Sequence, residues 1–216
     1  MPGLDLALRL LDWLGIVAFA ASGALVASRK QMDAVGFVLV AVVTGFGGGT
    51  LRDLLLGRTP VFWLERPELL AIAAVAALVV FVTAHLVESR FRVLLWMDAA
   101  GMALYAVVGA EIALLAGADG WAAVVLGVVT ATAGGIMRDV ICNELPLILR
   151  HEIYITAAAA AAASYVALRL TLLPRDLSLL AGIATGFLLR GAAIQFGWSL
   201  PPYRARPGRD YPDEPR

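Results

Sequence analysis

The chain has 216 residues, 61% of them hydrophobic and 16% charged, with 17 basic residues balanced by 17 acidic ones. A mean hydropathy of +0.83 excludes an ordinary soluble domain, in which about a quarter of residues are charged. The single cysteine, Cys142, excludes an intramolecular disulfide and a cysteine-based metal cluster, and reads as a small buried side chain.

Met1–Arg9 lacks a basic leader region and a small-residue cleavage site, so the first apolar segment is expected to stay in the protein. Segments free of charge then follow at Trp13–Ser28, Ala34–Leu51, Leu69–Leu86, Ala99–Ala110, Gly120–Met137, Ile153–Leu168 and Leu177–Leu189. With roughly 20 residues needed to cross the hydrocarbon, these predict an all-α membrane protein of about seven transmembrane helices. They leave no room for a soluble catalytic domain. The tail over residues 200–216 carries Pro201, Pro202, Pro207, Pro212 and Pro215 among mixed charges and reads as a disordered, solvated end.

Within this series the chain says nearly the same thing twice. VVTGFGGGTLRD at Val42–Asp53 returns as VVTATAGGIMRD at Val128–Asp139, with seven of the twelve positions identical. An offset of 86 residues also relates Asp12 to Asp98, Gly15 to Gly101, Gly23 to Gly109 and Pro60 to Pro146. Each copy holds three spans, 12–85 in the first and 98–171 in the second. An odd number turns the second copy over, so a 3+3 inverted repeat is expected, with one extra helix at 177–199. The loops after spans one, three and five, with the C-terminus, carry Arg29, Lys30, Arg90, Arg92, Arg150, Arg204, Arg206, Arg209 and Arg216, against Arg9, Arg58, Arg66, Arg169 and Arg175 on the other face. That excess puts the N-terminus outside and the C-terminus in the cytoplasm.

Gly47, Gly48, Gly49, Gly134 and Gly135 fall near the middle of the second and fifth spans. Glycine weakens a helix interior and freed backbone groups are costly in lipid, so both helices are expected to break there and line a water-filled path. Close packing by small residues is the competing explanation, as at Gly182–Gly186 and the Ala157–Ala163 run. Asp53 and Asp139 follow the glycines, where a carboxylate suits a new helix start. Arg52 and Arg138 do not suit it, and require an aspartate of the other copy, free carbonyls or a lipid phosphate, unless they reach out to the interface. Asp12 and Asp98 read as interfacial starts of their spans. Glu111 and Arg190 lie deeper, where a pair between them is one open arrangement. His85 and His151 stand near span ends without a second ligand at helical spacing.

The paired motifs GGTLRD and GGIMRD in a 3+3+1 membrane chain resemble the prokaryotic trimeric intracellular cation (TRIC) channel family over roughly Asp12–Trp198. The resemblance implies a homotrimer in a prokaryotic cell membrane with a pore in each protomer that passes potassium or other monovalent cations. It assigns Gly47–Gly49 and Gly134–Gly135 to pore kinks and Arg52, Asp53, Arg138 and Asp139 to a pore charge network. No cofactor, nucleic-acid partner or enzymatic activity is implied; lipids and the permeant ion are the other partners. Two rivals remain, a secondary carrier for glycine or another small zwitterion and a non-transporting structural protein. No metalloprotease motif, nucleophile–base pair or phosphate loop appears in the chain.

Overall fold

The computed structural model describes residues 2–86, 89–150, 152–171 and 173–201, with side chains described from residue 9 onward. Its helices are α1 (Pro2–Arg29), α2 (Ala34–Leu55), the short α3 (Phe62–Glu65), α4 (Glu68–Thr83), α5 (Arg90–Leu115), α6 (Gly120–Ile141), α7 (Ile155–Leu170) and α8 (Arg175–Phe196). Six are long and apolar enough to cross a membrane, and α7, at 16 residues, is the shorter seventh. Charge-free apolar runs commit these segments to helix because in hydrocarbon the backbone must satisfy its own hydrogen bonds.

The repeat extends into the turns. Asp33 and Asp119, 86 residues apart, cap α2 and α6 by accepting at 2.8 Å from the amides of Gly36 and Ala122. Before each cap lies a left-handed residue, Gln31 in one copy and Gly117 in the other, and after each helix another, Gly57 and Asn143. The amides of Leu56 and Cys142 close the helix ends on the carbonyls of Arg52 and Arg138, each at 3.0 Å.

The copies run in opposite directions. Gly15 faces Tyr105 while Gly101 faces Phe19, and Gly48 faces Thr130 while Gly134 faces Thr44. In both sets the number on one helix rises as its partner's falls, so α1 runs antiparallel to α5 and α2 to α6. Equivalent helices that cross antiparallel through exchanged contacts are related by a two-fold axis across the bundle, which makes the fold a 3+3 inverted repeat. α8 packs on α5 and α7, with Gly182 and Gly186 against Ala161, Val107 and Ala103.

The expected breaks in the second and fifth spans are not there. α2 and α6 each run as one continuous helix through Gly47, Gly48, Gly49, Gly134 and Gly135. The glycines serve approach instead. A Cβ on Gly48 would collide with the carbonyl of Thr130, and one on Gly134 with that of Thr44, so α2 and α6 meet backbone to backbone. Thr44 and Thr130 turn their hydroxyls back onto Val40 and Leu126 carbonyls at 2.6 Å, leaving no freed group at the crossing.

Candidate functional site

Because α2 and α6 are antiparallel and each carries its Arg-Asp pair near its C-terminal end, the pairs lie on opposite sides of the glycine crossing. All four side chains are buried. Neither arginine reaches out to the interface, and neither takes an aspartate of the other copy. Each guanidinium folds onto the next residue in sequence, Arg52 on Asp53 at 2.8 Å and Arg138 on Asp139 at 2.7 Å. The second oxygen of each aspartate accepts a backbone amide from the following loop, Phe62 at 2.8 Å and Leu147 at 3.0 Å. Asp53 and Asp139 therefore tie the following loop to the helix end.

Beyond that shared core the clusters diverge. On the Arg138 side, Asp98 is 1% exposed and takes the other end of the guanidinium at 2.6 Å, with Ser22 Oγ accepting from the same nitrogen at 2.5 Å. Asp98 stands about two turns inside α5 rather than at an interfacial start, because α5 begins at Arg90. One arginine thus faces two carboxylates, a buried excess of one negative charge. On the Arg52 side the equivalent Asp12 is also internal to its helix, but Arg66 takes it at 2.6 Å. Arg52 is left with Asp53 and the face of Phe62, 5.5 Å away, and Arg58 approaches Asp53 at 3.9 Å. Here two arginines share one carboxylate.

Access differs in the same sense. A cleft of about 630 Å³ lined by Arg9, Asp12, Arg58 and Arg66 opens on the Arg52 side. A smaller recess of about 110 Å³ adjoins it and reaches Gly49, Arg52 and Tyr105. On the other side Arg138, Asp98, Ser22 and Tyr154 are at most 1% exposed, scarcely more buried than Arg52 and Asp53, so the difference lies in the cleft and recess beside Arg52 rather than in the exposure of the charges. At Gly135 a Cβ would sit in ordinary contact, 3.5 Å from Tyr154 Oη, 3.6 Å from Asp98 Oδ1 and 3.7 Å from Arg138 Nη2. Gly135 therefore has no steric need to be glycine and leaves a methyl-sized space between polar groups, whereas Gly49 abuts Phe62 and Gly47 abuts Met137.

Glu111 and Arg190 do not pair. Glu111 binds Tyr165 and Arg175, while Arg190 binds Glu152 at 2.5 Å on the opposite side of the bundle. His85 is exposed in the turn after α4, His151 lies outside the described residues, and Cys142 is buried at the end of α6. Among the described residues no cluster of three or more histidine, cysteine or acidic side chains is placed to hold a metal. Sequence reasoning missed Ser22, Tyr154, Arg66 and Glu152. The available signal was a departure from the repeat, since Arg66 and Glu152 occupy the same place in the two copies with opposite charge.

A multi-pass helical membrane protein, inverted about a glycine crossing and holding ionised pairs inside its span, is the architecture of a membrane transport protein. The family model described as Glycine transporter matches twice, over residues 9–85 and 95–169. The TRIC trimeric intracellular cation channel orthologue from Rhodobacter sphaeroides is 54% identical, covers 89% of this chain and 99% of its own, and superposes with a TM-score of 0.87. A second structure, described for conductance through TRIC cation channels, is 34% identical with a TM-score of 0.83, covering 93% of this chain and 98% of its own. The UPF0126 inner membrane protein YadS of Escherichia coli K12 is 38% identical over 89% of this chain and 94% of its own length. The chain belongs to this family, the prokaryotic TRIC channels, whose curated relatives carry the label UPF0126.

Proposed function

We propose that the protein is a monovalent cation channel, with potassium as the permeant ion and a pore inside each protomer of a homotrimer. The observation that carries this reading is the pair of buried Arg-Asp clusters on opposite sides of one glycine crossing, in a fold shared at 54% identity with a TRIC channel. Ionisable groups inside a span are costly, and their usual service is to line an ion path. Arg52, Asp53, Arg138 and Asp139 form the charge network of that path. Gly135 gives it polar space, Gly47, Gly48 and Gly134 supply the helix crossing rather than kinks, and Gly49 makes room for Phe62. The excess of basic residues in the loops on the Arg138 side favours that side as cytoplasmic, with the N-terminus outside. The reading calls for no cofactor, nucleic acid or enzymatic step.

The description of the matching family model favours one second reading, a carrier for glycine. Opposed carboxylates and guanidinium groups can hold a zwitterion as well as a cation. Purified protein in planar bilayers under potassium, sodium and chloride gradients separates the two. A channel gives unitary currents that reverse near the potassium potential and ignore glycine. Glycine-dependent uptake that saturates and is competed by analogues, without unitary currents, would replace the channel reading by the carrier.

A further inference from the structure

The seventh long helix, α8, has no counterpart in the repeat; it packs along α7 and α5, and its buried arginine also holds one short segment of the second copy. Arg190 is 1% exposed. Its guanidinium binds Glu152 Oε2 at 2.5 Å and the Ile153 carbonyl at 3.2 Å, and it lies 5.2 Å over the ring of Tyr154. Where the chain leaves α8, Ser199 pairs with Glu152 in an antiparallel bridge. Three consecutive residues, Glu152, Ile153 and Tyr154, are therefore held from outside the repeat. The third of them presents its hydroxyl to the space at Gly135, beside Asp98 and Arg138.

The first copy shows the alternative. Its equivalent segment is Arg66, Pro67 and Glu68, with Glu68 in the place of Tyr154. There Arg66 turns to Asp12 and draws it away from Arg52, and that side carries the open cleft. On the Arg138 side Glu152 is occupied by Arg190, Asp98 stays on Arg138, and the Tyr154 hydroxyl borders the space at Gly135.

We propose that Arg190 is a positioning residue: by fixing Glu152 and the ring of Tyr154, α8 holds the Tyr154 hydroxyl as the lid of the Arg138 cluster and makes that end of the path the closed one. The path itself rests on the channel reading above, but the lid is a statement about access and is measured without current.

The test uses the full-length protein in liposomes, with Cys142→Ser removing the native thiol and Gly135→Cys placing a new one where a side-chain atom fits. The rate of modification by a small cationic methanethiosulfonate reagent is then followed. With Arg190 and Tyr154 intact, position 135 is expected to react slowly. Tyr154→Phe removes only the hydroxyl and Arg190→Gln removes the cation. Arg190→Gln is expected to raise the rate roughly five- to tenfold, the worth of the cation–π contact it removes, Tyr154→Phe to raise it by clearing an oxygen that lies 3.5 Å from the new side chain, and the two together no further than the larger of them. Arg190→Lys keeps the charge but not the planar fork and should fall between them and the parent. Unchanged reactivity in Tyr154→Phe overturns the lid. A lower melting temperature in Arg190→Gln with unchanged reactivity makes Arg190 a structural strut only. Accelerated labelling in a protein that passes no current would support the lid while refuting the channel.

Discussion

The two Arg-Asp clusters begin from the same four-residue ending, x-x-Arg-Asp after paired glycines, and arrive at opposite electrostatic states. The Arg138 cluster gathers a second carboxylate, Asp98, and buries it; the Arg52 cluster loses its equivalent, Asp12, to Arg66 and gains Arg58 instead. The pairwise contact within each motif is therefore local and robust, since adjacent residues on a helix end make it without help. The clusters differ in the third charge, which is Asp98 from within α5 on one side and Arg58 from the loop after α2 on the other. A duplicated motif can thus serve as two ends of one path without being two identical ends.

The largest expected effect tests what the clusters share. Gly48→Leu or Gly134→Leu forces a side chain into the opposing backbone and should cost more than about 3 kcal/mol, read as loss of the folded protein in detergent melts. Gly135→Ala should stay within about 1 kcal/mol of the parent, because its Cβ fits, yet reduce cation flux by filling polar space. Equal melting losses at Gly134 and Gly135 would break the distinction between packing and path.

Next in size comes the difference between the clusters. Asp98→Asn weakens a charge-assisted hydrogen bond in a dry site while Arg138 keeps Asp139, and should cost about 1.5 to 3 kcal/mol. Asp12→Asn leaves Arg66 with Glu68 in a partly wet one and should cost about 1 kcal/mol or less. Parallel melts of the two variants decide it, and equal losses would mean that the Arg52 cluster is as closed as the other. Asp33→Ala and Asp119→Ala serve as the matched control. Both remove the same cap and should each cost about 1 kcal/mol, and a difference between them would show that the copies diverge even in their turns. Smallest is Arg58→Gln, which removes the surplus positive charge at the open end. Cation conductance should rise less than about threefold at low ionic strength, and the rise should vanish at high salt, where an exposed charge is screened.

Much of this was legible in the sequence. Charge-free runs give the helices, and a constant offset with an odd number of spans gives the inversion, because both follow from the solvent and from counting. The conformation of the glycines was not legible. A glycine that breaks a helix and one that lets another helix approach leave the same letter, and only the facing residues, Thr130 opposite Gly48 and Thr44 opposite Gly134, distinguish them. The partners of Arg138 escaped for a different reason. Asp98, Ser22 and Tyr154 come from three other parts of the chain, and their meeting is a property of how the bundle packs. The same holds for Glu111, whose partners Tyr165 and Arg175 carry no signal in the repeat.

The crossing of α2 and α6 has a mechanical consequence. Two rods that touch backbone to backbone at one point, with no side chain between them, have a fulcrum there. If the halves rocked as rigid levers about Gly48 and Gly134, spreading the Arg138 end would pinch the Arg52 end, which is the motion of a carrier that is open to one side at a time. A channel needs both ends open together, so one lever must flex. The residues beside the fulcrum, Gly47 and Gly49 on one rod and Gly135 on the other, lack side chains and resist bending least. Both rods run unbroken through those glycines in this structure, so on the channel reading they are where a lever would have to flex for both ends to open together.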